Sequence, residues 1–404
     1  MQRTILFIGG GIETVPGIKI AKSMGLFVVV SDINPNAPCV KIADHFLLAD
    51  TYNIQETIAE VHKFSEKYGP INGVICLATD VPLTVSSVAE EFDLPGIPIE
   101  SAQIVSDKIL MKDHFKDKKL PIPWYCEISE YNELTDVINK RSLPLIIKPV
   151  DSRGARGVLL ITNEIDIKWA YENALSYSPT KRVMVEEFLE GPQVSTESLV
   201  IDGEVYTFGF SDRNYELLKK YSPHIIENGG DLPSFLPEED QSKIKETVTR
   251  AAKSLNISNG VIKGDMVLCN GNPYIIEVAA RLSGGYFCSH EIPLNSGIDF
   301  VKIALSLAMN DQIDVELLKA SKNQPVCQRY FFPKPGILKD IIIPDWIKTH
   351  PNVSLFEIRV KVGDIIAEAI HHPSRAGLVI TLGKSRDEAI NLAEKVVKEV
   401  CFIT

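Results

Sequence analysis

Along the first hundred residues, short apolar runs alternate with stretches of helical period. Thr4–Ile8 is an apolar run ending at Gly9-Gly10-Gly11, a 3.6-residue pattern follows through Ala21, and a second apolar run at 26–31 closes on Asp32. Strand, helix, strand is the βαβ opening of a parallel sheet. A helix near Ile54–Tyr68, a buried strand at 73–77 and a helix at 82–92 continue the alternation. Helices covering a parallel sheet are predicted, and the first domain closes near Pro98.

From Lys108 the pattern changes to a Lys-rich helix, the Pro121-Ile122-Pro123 break, a helix at Tyr131–Lys140, the strand Leu145–Pro149 and a Gly-rich turn. A strand at 182–188 meets Gly191-Pro192, and alternation from Val194 followed by Asp202-Gly203 predicts a hairpin in an α+β section. The polar stretch 212–237, with Lys219, Lys220, His224, Glu227 and Gly229-Gly230, reads as a mobile active-site loop, and an amphipathic helix follows at 238–255. Strands around Asp265 and Glu277, a helix at 299–309, turns at 333–336 and Gly363-Asp364, and a closing helix at 385–400 complete the chain.

A chain of 404 residues is too long for one core, and its 45% apolar and 24% charged residues are those of a globular, multidomain protein. A net charge of −11 without a basic tract argues against a nucleic-acid or anionic-membrane partner. The seven cysteines stand singly, with no CxxC pair and no histidine at zinc spacing. They and the opening residues, which carry no signal-type cleavage site, fit a reducing cytoplasm. No apolar stretch has the length of a membrane span. A homodimer is the ordinary expectation for assembly.

Gly9 and Gly11, with Asp32 as a ribose partner, invite a dinucleotide reading, but position 14 is Thr14 and the third glycine is missing. More informative is a series in chain order: Lys108; Lys148; Ser152-Arg153-Gly154-Ala155-Arg156-Gly157; Glu186-Glu187-Phe188-Leu189; Asp265; Glu277; Arg281. A nucleoside triphosphate needs amines and backbone amides at its phosphates and a carboxylate-held metal between them. Lys148 ends an apolar strand, where an ammonium needs an anion, and a phosphate would serve. Gly154 and Gly157 permit close backbone approach, although no Gly-Lys-Ser/Thr follows and the turn taken alone is a charged hairpin tip. The stretch from Glu186 to Leu189 suits an interdomain hinge at which a carboxylate accepts from an adenine amine. Asp265 and Glu277 flank the turn Asn270-Gly271, so paired strands can bring both carboxylates to one cation. Arg281 can clamp a carboxylate while the amides of Ser283-Gly284-Gly285 take remaining oxygens, though a structural salt bridge uses the same residue types.

Order and spacing together resemble the ATP-grasp superfamily, and within it the L-amino-acid ligases, over nearly the whole chain. The most specific stretches are Ser106-Asp107-Lys108 with Pro121 and Pro123, Ile147-Lys148-Pro149, Val185-Glu186-Glu187-Phe188, and Glu277-Val278-Ala279-Ala280-Arg281-Leu282-Ser283-Gly284-Gly285. Arg329-Tyr330-Phe331-Phe332 and Ser374-Arg375-Ala376-Gly377 look like the C-terminal domain of those ligases. The resemblance implies a mixed α/β and α+β multidomain chain of ATP-grasp fold. Its parts would be a Rossmann-like pre-ATP-grasp domain over 1–105, small and large ATP-grasp subdomains over 106–185 and 186–320, and a C-terminal α+β lobe over 321–404. It further implies an ADP-forming carboxylate–amine ligase that uses ATP and Mg2+, or Mn2+ in its place, and joins small-molecule substrates through an acyl-phosphate. Lys108, Lys148 and the loop of Ser152, Arg153, Gly154, Arg156 and Gly157 would contact phosphates. Glu186, with Glu187, Phe188 and Leu189, would meet the adenine, Gln193 the ribose, and Asp265 and Glu277 the metal. Arg281, with Ser283 and Gly284, would orient the acyl-phosphate, and Glu227 would stand in the loop that handles the acceptor.

Three positions depart from the family pattern: Gln193 where Glu is common, Ala279 where many members carry Asn, and Gly230 where some dipeptide-forming members carry His. His224 could substitute for that last residue, and Thr79 and Asp80 could sort substrates from the first domain. A purine-pathway or carboxylase-type ATP-grasp ligase is the main alternative. An NAD-dependent oxidoreductase would need the missing glycine, and a non-catalytic nucleotide-binding protein would not need Asp265, Glu277 and Arg281 together.

Overall fold

In the computed structural model, which describes residues 2–404, Thr4–Ile8 is buried throughout and lies inside a four-stranded parallel sheet. The spatial order is His45–Leu48, Phe27–Asp32, Thr4–Ile8, Gly73–Ile75. Alternate residues of the inner strand face two different cores: Ile5 and Phe7 pack with Ile18 and Ala21 of the helix Val15–Ser23, Leu6 and Ile8 with Val61 and Phe64 of the helix Ile54–Tyr68. Burial on both faces is why the strand reads as a continuous apolar run rather than an alternating one. The strand His45–Leu48 goes beyond the sequence expectation: only Leu47 of its four residues is buried, so this edge carries no period.

A second, antiparallel sheet orders Tyr125–Ile128, Val183–Glu187, Leu145–Pro149 and Leu159–Ile161, with the helices Tyr131–Lys140 and Ile167–Ser176 packed on one face. A third sheet has eight strands, in the order Asn272–Ala279, Gly260–Cys269, Gln193–Ile201, Glu204–Arg213, Gly230–Leu232, Val326–Tyr330, Gly377–Leu382, Val353–Ile358. The helix Glu238–Ser254 covers its first part through Ile244, Val248, Ala251 and Ala252, an i, i+4, i+7, i+8 stripe. The helix Arg386–Glu399 covers its far part through Ala389, Ala393 and Val396. The expected seam at residue 320 therefore falls within one continuous sheet. Among the described residues no helix is long and apolar enough to cross a membrane.

The polar stretch 212–237 differs from the mobile loop expected. It contains the helical turn Leu218–Tyr221 and the strand Gly230–Leu232, and it is fastened from below by charge. Asp231, buried, accepts from Arg329 at 2.9 and 3.3 Å and from Arg386 at 3.3 Å. Removing one member of a buried ion pair leaves the others uncompensated. Asp231→Ala should destabilise the protein by about 3–5 kcal/mol, read as a lowered urea midpoint.

Candidate active site

The three sheets meet around a cleft of about 900 Å³. Its acidic floor comes from the hairpin of Gly260–Cys269 and Asn272–Ala279, joined by Asn270 (φ 49°) and Gly271 (φ 74°), the positive-φ pair of a tight hairpin turn. The turn sets the ladder as far as Met266 opposite Ile275, and a register shift between Met266 and Asp265 then brings Asp265 directly opposite Glu277. Asp265 accepts from Ser195 Oγ and Lys263 Nζ, each at 2.6 Å, and Glu277 lies 3.3 Å from Lys108 Nζ. Burial alone would raise the pKa of Asp265, but Lys263 and Arg213 outweigh it and hold the group well below the usual carboxylate range. Two facing carboxylates fit magnesium, which takes one or two such ligands and completes its octahedron with phosphate and water oxygens. Among the described residues no cluster of three His, Cys, Asp or Glu side chains could hold a metal unaided, so the other ligands would come from substrate and water.

Cationic groups line one end. Lys148, 3% exposed, donates to Glu186 at 2.5 Å, and Lys112 lies 3.0 Å from the other oxygen of the same carboxylate. Burial works against the Glu186 carboxylate, yet Lys112 and Lys148 outweigh it and keep its pKa below the ordinary glutamate value. Burial likewise pushes Lys112 down to about 8 despite Glu186. Glu186, expected at the adenine, is thus committed to two lysines, while Glu187, Phe188, Leu189 and Gln193 also line the cleft. Lys112 was not anticipated. Its signal is a lysine between Met111 and Phe115 on the buried face of the helix Lys108–Asp117.

The Gly-rich turn joins the antiparallel strands Leu145–Pro149 and Leu159–Ile161, and Ser152, Arg153, Gly154 and Arg156 reach the cleft. Lys108 Nζ donates to the Ser152 carbonyl at 2.9 Å. Gly157 lies behind the turn, at φ 70°, where a Cβ would stand 2.9 Å from Pro149 and 3.0 Å from Tyr177. The turn touches two other parts of the chain: Arg153 lies 3.4 Å from Asp80, and the Gly154 carbonyl accepts from the His372 amide at 3.0 Å.

Arg281 donates to Asp80 at 3.4 Å and to the Leu282 carbonyl at 3.2 Å, and it lines the cleft with Thr79, Asp80, Gly284 and Gly285. Ser283, expected beside the reacting carboxyl, points the other way. Its amide donates to Glu197 at 2.8 Å, its hydroxyl donates to the same carboxylate, and both residues are buried. The Ser283-Gly284-Gly285 turn is thereby held from behind by Glu197 and from the side by Glu13, which accepts from the Gly285 amide at 2.7 Å. Glu197→Leu would leave both Ser283 donors unpaired and should cost about 2–5 kcal/mol in urea unfolding. Burial raises Glu197 to about 7, so the native state keeps a proton that the unfolded chain releases. That contribution is complete below the unfolded value and is lost as pH rises through about 7, and Glu197→Gln should flatten this part of the stability profile.

Also in the cleft wall, Glu227, 1% exposed, accepts from Arg213 at 2.5 Å and Arg375 at 2.6 Å. Arg375 also stacks 3.7 Å over the ring of Tyr330. His224 does not line the cleft and packs edge-on against Trp169; the histidine in the wall is His372. Arg213 and Arg375 come from segments far apart in the chain: Arg375 stands in the Ser374–Gly377 stretch that resembles the ligases' C-terminal domain, and Arg213 has no local signal.

Residues 105–285 match the family model of the ATP-grasp domain, and residues 329–404 that of the L-amino acid ligase C-terminal domain 2. The uncharacterized protein y4rH of Sinorhizobium fredii is 23% identical over 355 residues, 87% of this chain and 72% of that protein. The structure of the L-amino acid ligase from Bacillus licheniformis is similar with a TM-score of 0.83 at 21% identity, covering 100% of this chain and 98% of that one. That of phosphoribosylglycinamide synthetase from Anaerococcus prevotii gives 0.77 at 21% identity, covering 100% of both. At these identities the structural likeness speaks to fold. Residues 105–285 thus match the ATP-grasp domain and residues 329–404 the L-amino acid ligase C-terminal domain 2, on a chain whose fold is shared over its length with those two solved structures.

Proposed function

We propose that this chain is an ATP- and magnesium-dependent carboxylate–amine ligase that joins an L-amino acid to a second amine or amino acid, releasing ADP and phosphate. The observation that carries this reading is Asp265 facing Glu277 beside Lys108, in a cleft that Lys148 and Arg281 also line. Lys108, Lys148 and the amides of residues 152–156 hold the phosphates, and the stretch Glu187-Phe188-Leu189 meets the adenine. Glu186 acts through Lys148 and Lys112, fixing where their charges stand. Asp265 and Glu277 would hold magnesium, which supplies charge neutralisation between phosphate oxygens. Arg281 orients the substrate carboxylate, whose oxygen attacks the γ-phosphorus as ADP leaves; amine attack on the acyl carbon then expels phosphate. The turn at 151–157 covers the mixed anhydride and excludes water.

A ligase for phosphorylated substrates would need guanidinium groups to spare. Arg213, Arg359 and Arg375 each already face a carboxylate, and among the described residues Arg156 is the cleft arginine without one. The test is ADP and phosphate release with magnesium across pairs of L-amino acids, with mass spectrometry of the products. Pair-dependent release with a condensed product supports the reading. ATP binding without turnover of any pair removes the amino-acid assignment, and absence of ATP binding removes the ligase.

A further inference from the structure

Glu291 is the buried acidic side chain of the cleft wall that, among the described residues, has no hydrogen bond or ion pair. It is 2% exposed and lines the cleft together with Phe287 of the same turn. The chain is bent sharply to bring it there. Gly285 (φ 65°) and Tyr286 (φ 62°) are successive left-handed residues, and a π-helical turn, Phe287–Glu291, follows. A non-glycine residue at positive φ followed by a π turn is costly geometry that tends to persist where a site requires it. Tyr286 is held in place by its hydroxyl, which donates to Glu357.

The surrounding charges show what is missing. Arg213 and Arg375 share Glu227, and Arg329 and Arg386 share Asp231. Each of these guanidinium groups is therefore committed to another carboxylate, and among the described residues none of them forms an ion pair with Glu291. Burial raises its pKa well above the ordinary value, with Arg213 opposing and Glu227 and Asp231 adding to the rise. Glu291 and Glu227 are both buried and both line the cleft, which Asp265 and Arg213 line as well. A neutral carboxyl beside a neutral amine and a carboxylate beside an ammonium hold the same protons. In a desolvated site the uncharged pair gains, which leaves nitrogen with its lone pair free.

We propose that Glu291 is the amine subsite: it receives the ammonium group of the acceptor and takes the proton that must leave before nitrogen can attack. This rests on the ligase reading above. As the ammonium binds, Glu291 gives up its own proton to solvent and faces it as a carboxylate; one N–H bond of the ammonium then breaks and that proton goes to a Glu291 oxygen. The nitrogen lone pair forms the C–N bond at the acyl carbon, the C–O bond to phosphate breaks with its electron pair leaving on phosphate, and the second surplus proton follows to that phosphate.

Hydroxylamine separates the two half-reactions, because it is largely uncharged at neutral pH and traps an acyl-phosphate as a hydroxamate. With wild type and a carboxylate that it activates, both hydroxamate and amide should form. Glu291→Gln should keep hydroxamate formation and lose amide formation by about 100-fold or more, with Glu291→Asp recovering part of it. If Glu291→Gln and Glu291→Asp both lose hydroxamate along with amide, the residue serves the acyl donor or the fold, and the assignment is overturned. Undiminished amide formation by Glu291→Gln overturns it equally. No hydroxamate from wild type with any carboxylate would instead take down the ligase reading itself.

Discussion

Glu277→Ala should release ADP at least about 1,000-fold more slowly than wild type with the best substrate pair, a loss of ~4 kcal/mol in transition-state stabilisation. The size follows from position. Glu277 is opposite Asp265 in the hairpin, so its removal takes away half of the carboxylate pair on which the anionic phosphates would be bridged. It also leaves Lys108, 3.3 Å away, without its partner. The side chain is 33% exposed, so the fold should survive, and an unchanged thermal midpoint would show that it has. Mn2+ affinity, followed by electron paramagnetic resonance, should fall in the same variant. Retained metal affinity together with retained turnover would place the metal elsewhere.

The next largest effect is expected at Arg281. Arg281→Lys should lower kcat by about 100–1,000-fold and leave KM for ATP near its wild-type value. Lysine keeps the charge but not the fork, and it cannot hold Asp80 and the Leu282 carbonyl while presenting two parallel donors to a carboxylate. A variant in which KM for ATP rises and kcat holds would assign Arg281 to the nucleotide rather than to the acyl group. The Asp80 carboxylate belongs to this unit: burial works against it, and Arg281, Arg153 and Lys108 together keep its pKa below the ordinary value.

The parts of the molecule that were readable beforehand are those determined by neighbours in the chain. Tyr131–Lys140 and Leu145–Pro149 run as expected because a clear period or a clear run marks them. That Asn270-Gly271 closes a hairpin carrying Asp265 and Glu277 on paired strands was readable; the register shift that sets the two face to face was not. The direction in which Ser283 points was not, since it depends on Glu197 in a remote strand. Lys112 with Glu186, and Arg213 and Arg375 with Glu227, are encounters between distant segments, and pattern along the chain carries no trace of them. Nor does it reveal that the polar stretch 212–237 supplies a strand, because three residues, Gly230–Leu232, are too few to show alternation.

That short strand bears on how the molecule could be recombined. It comes from the middle of the chain, yet it pairs Asp231 with Cys327 and Leu232 with Val326. A chimera spliced at residue 320 would therefore join strands from two parents along that ladder, and would match one parent's Asp231 against the other's Arg329 and Arg386. Grafting the C-terminal segment as a cassette asks both parents to share this seam. An exchange that carries residues 230–232 along with the tail keeps the ladder and its charges in one lineage.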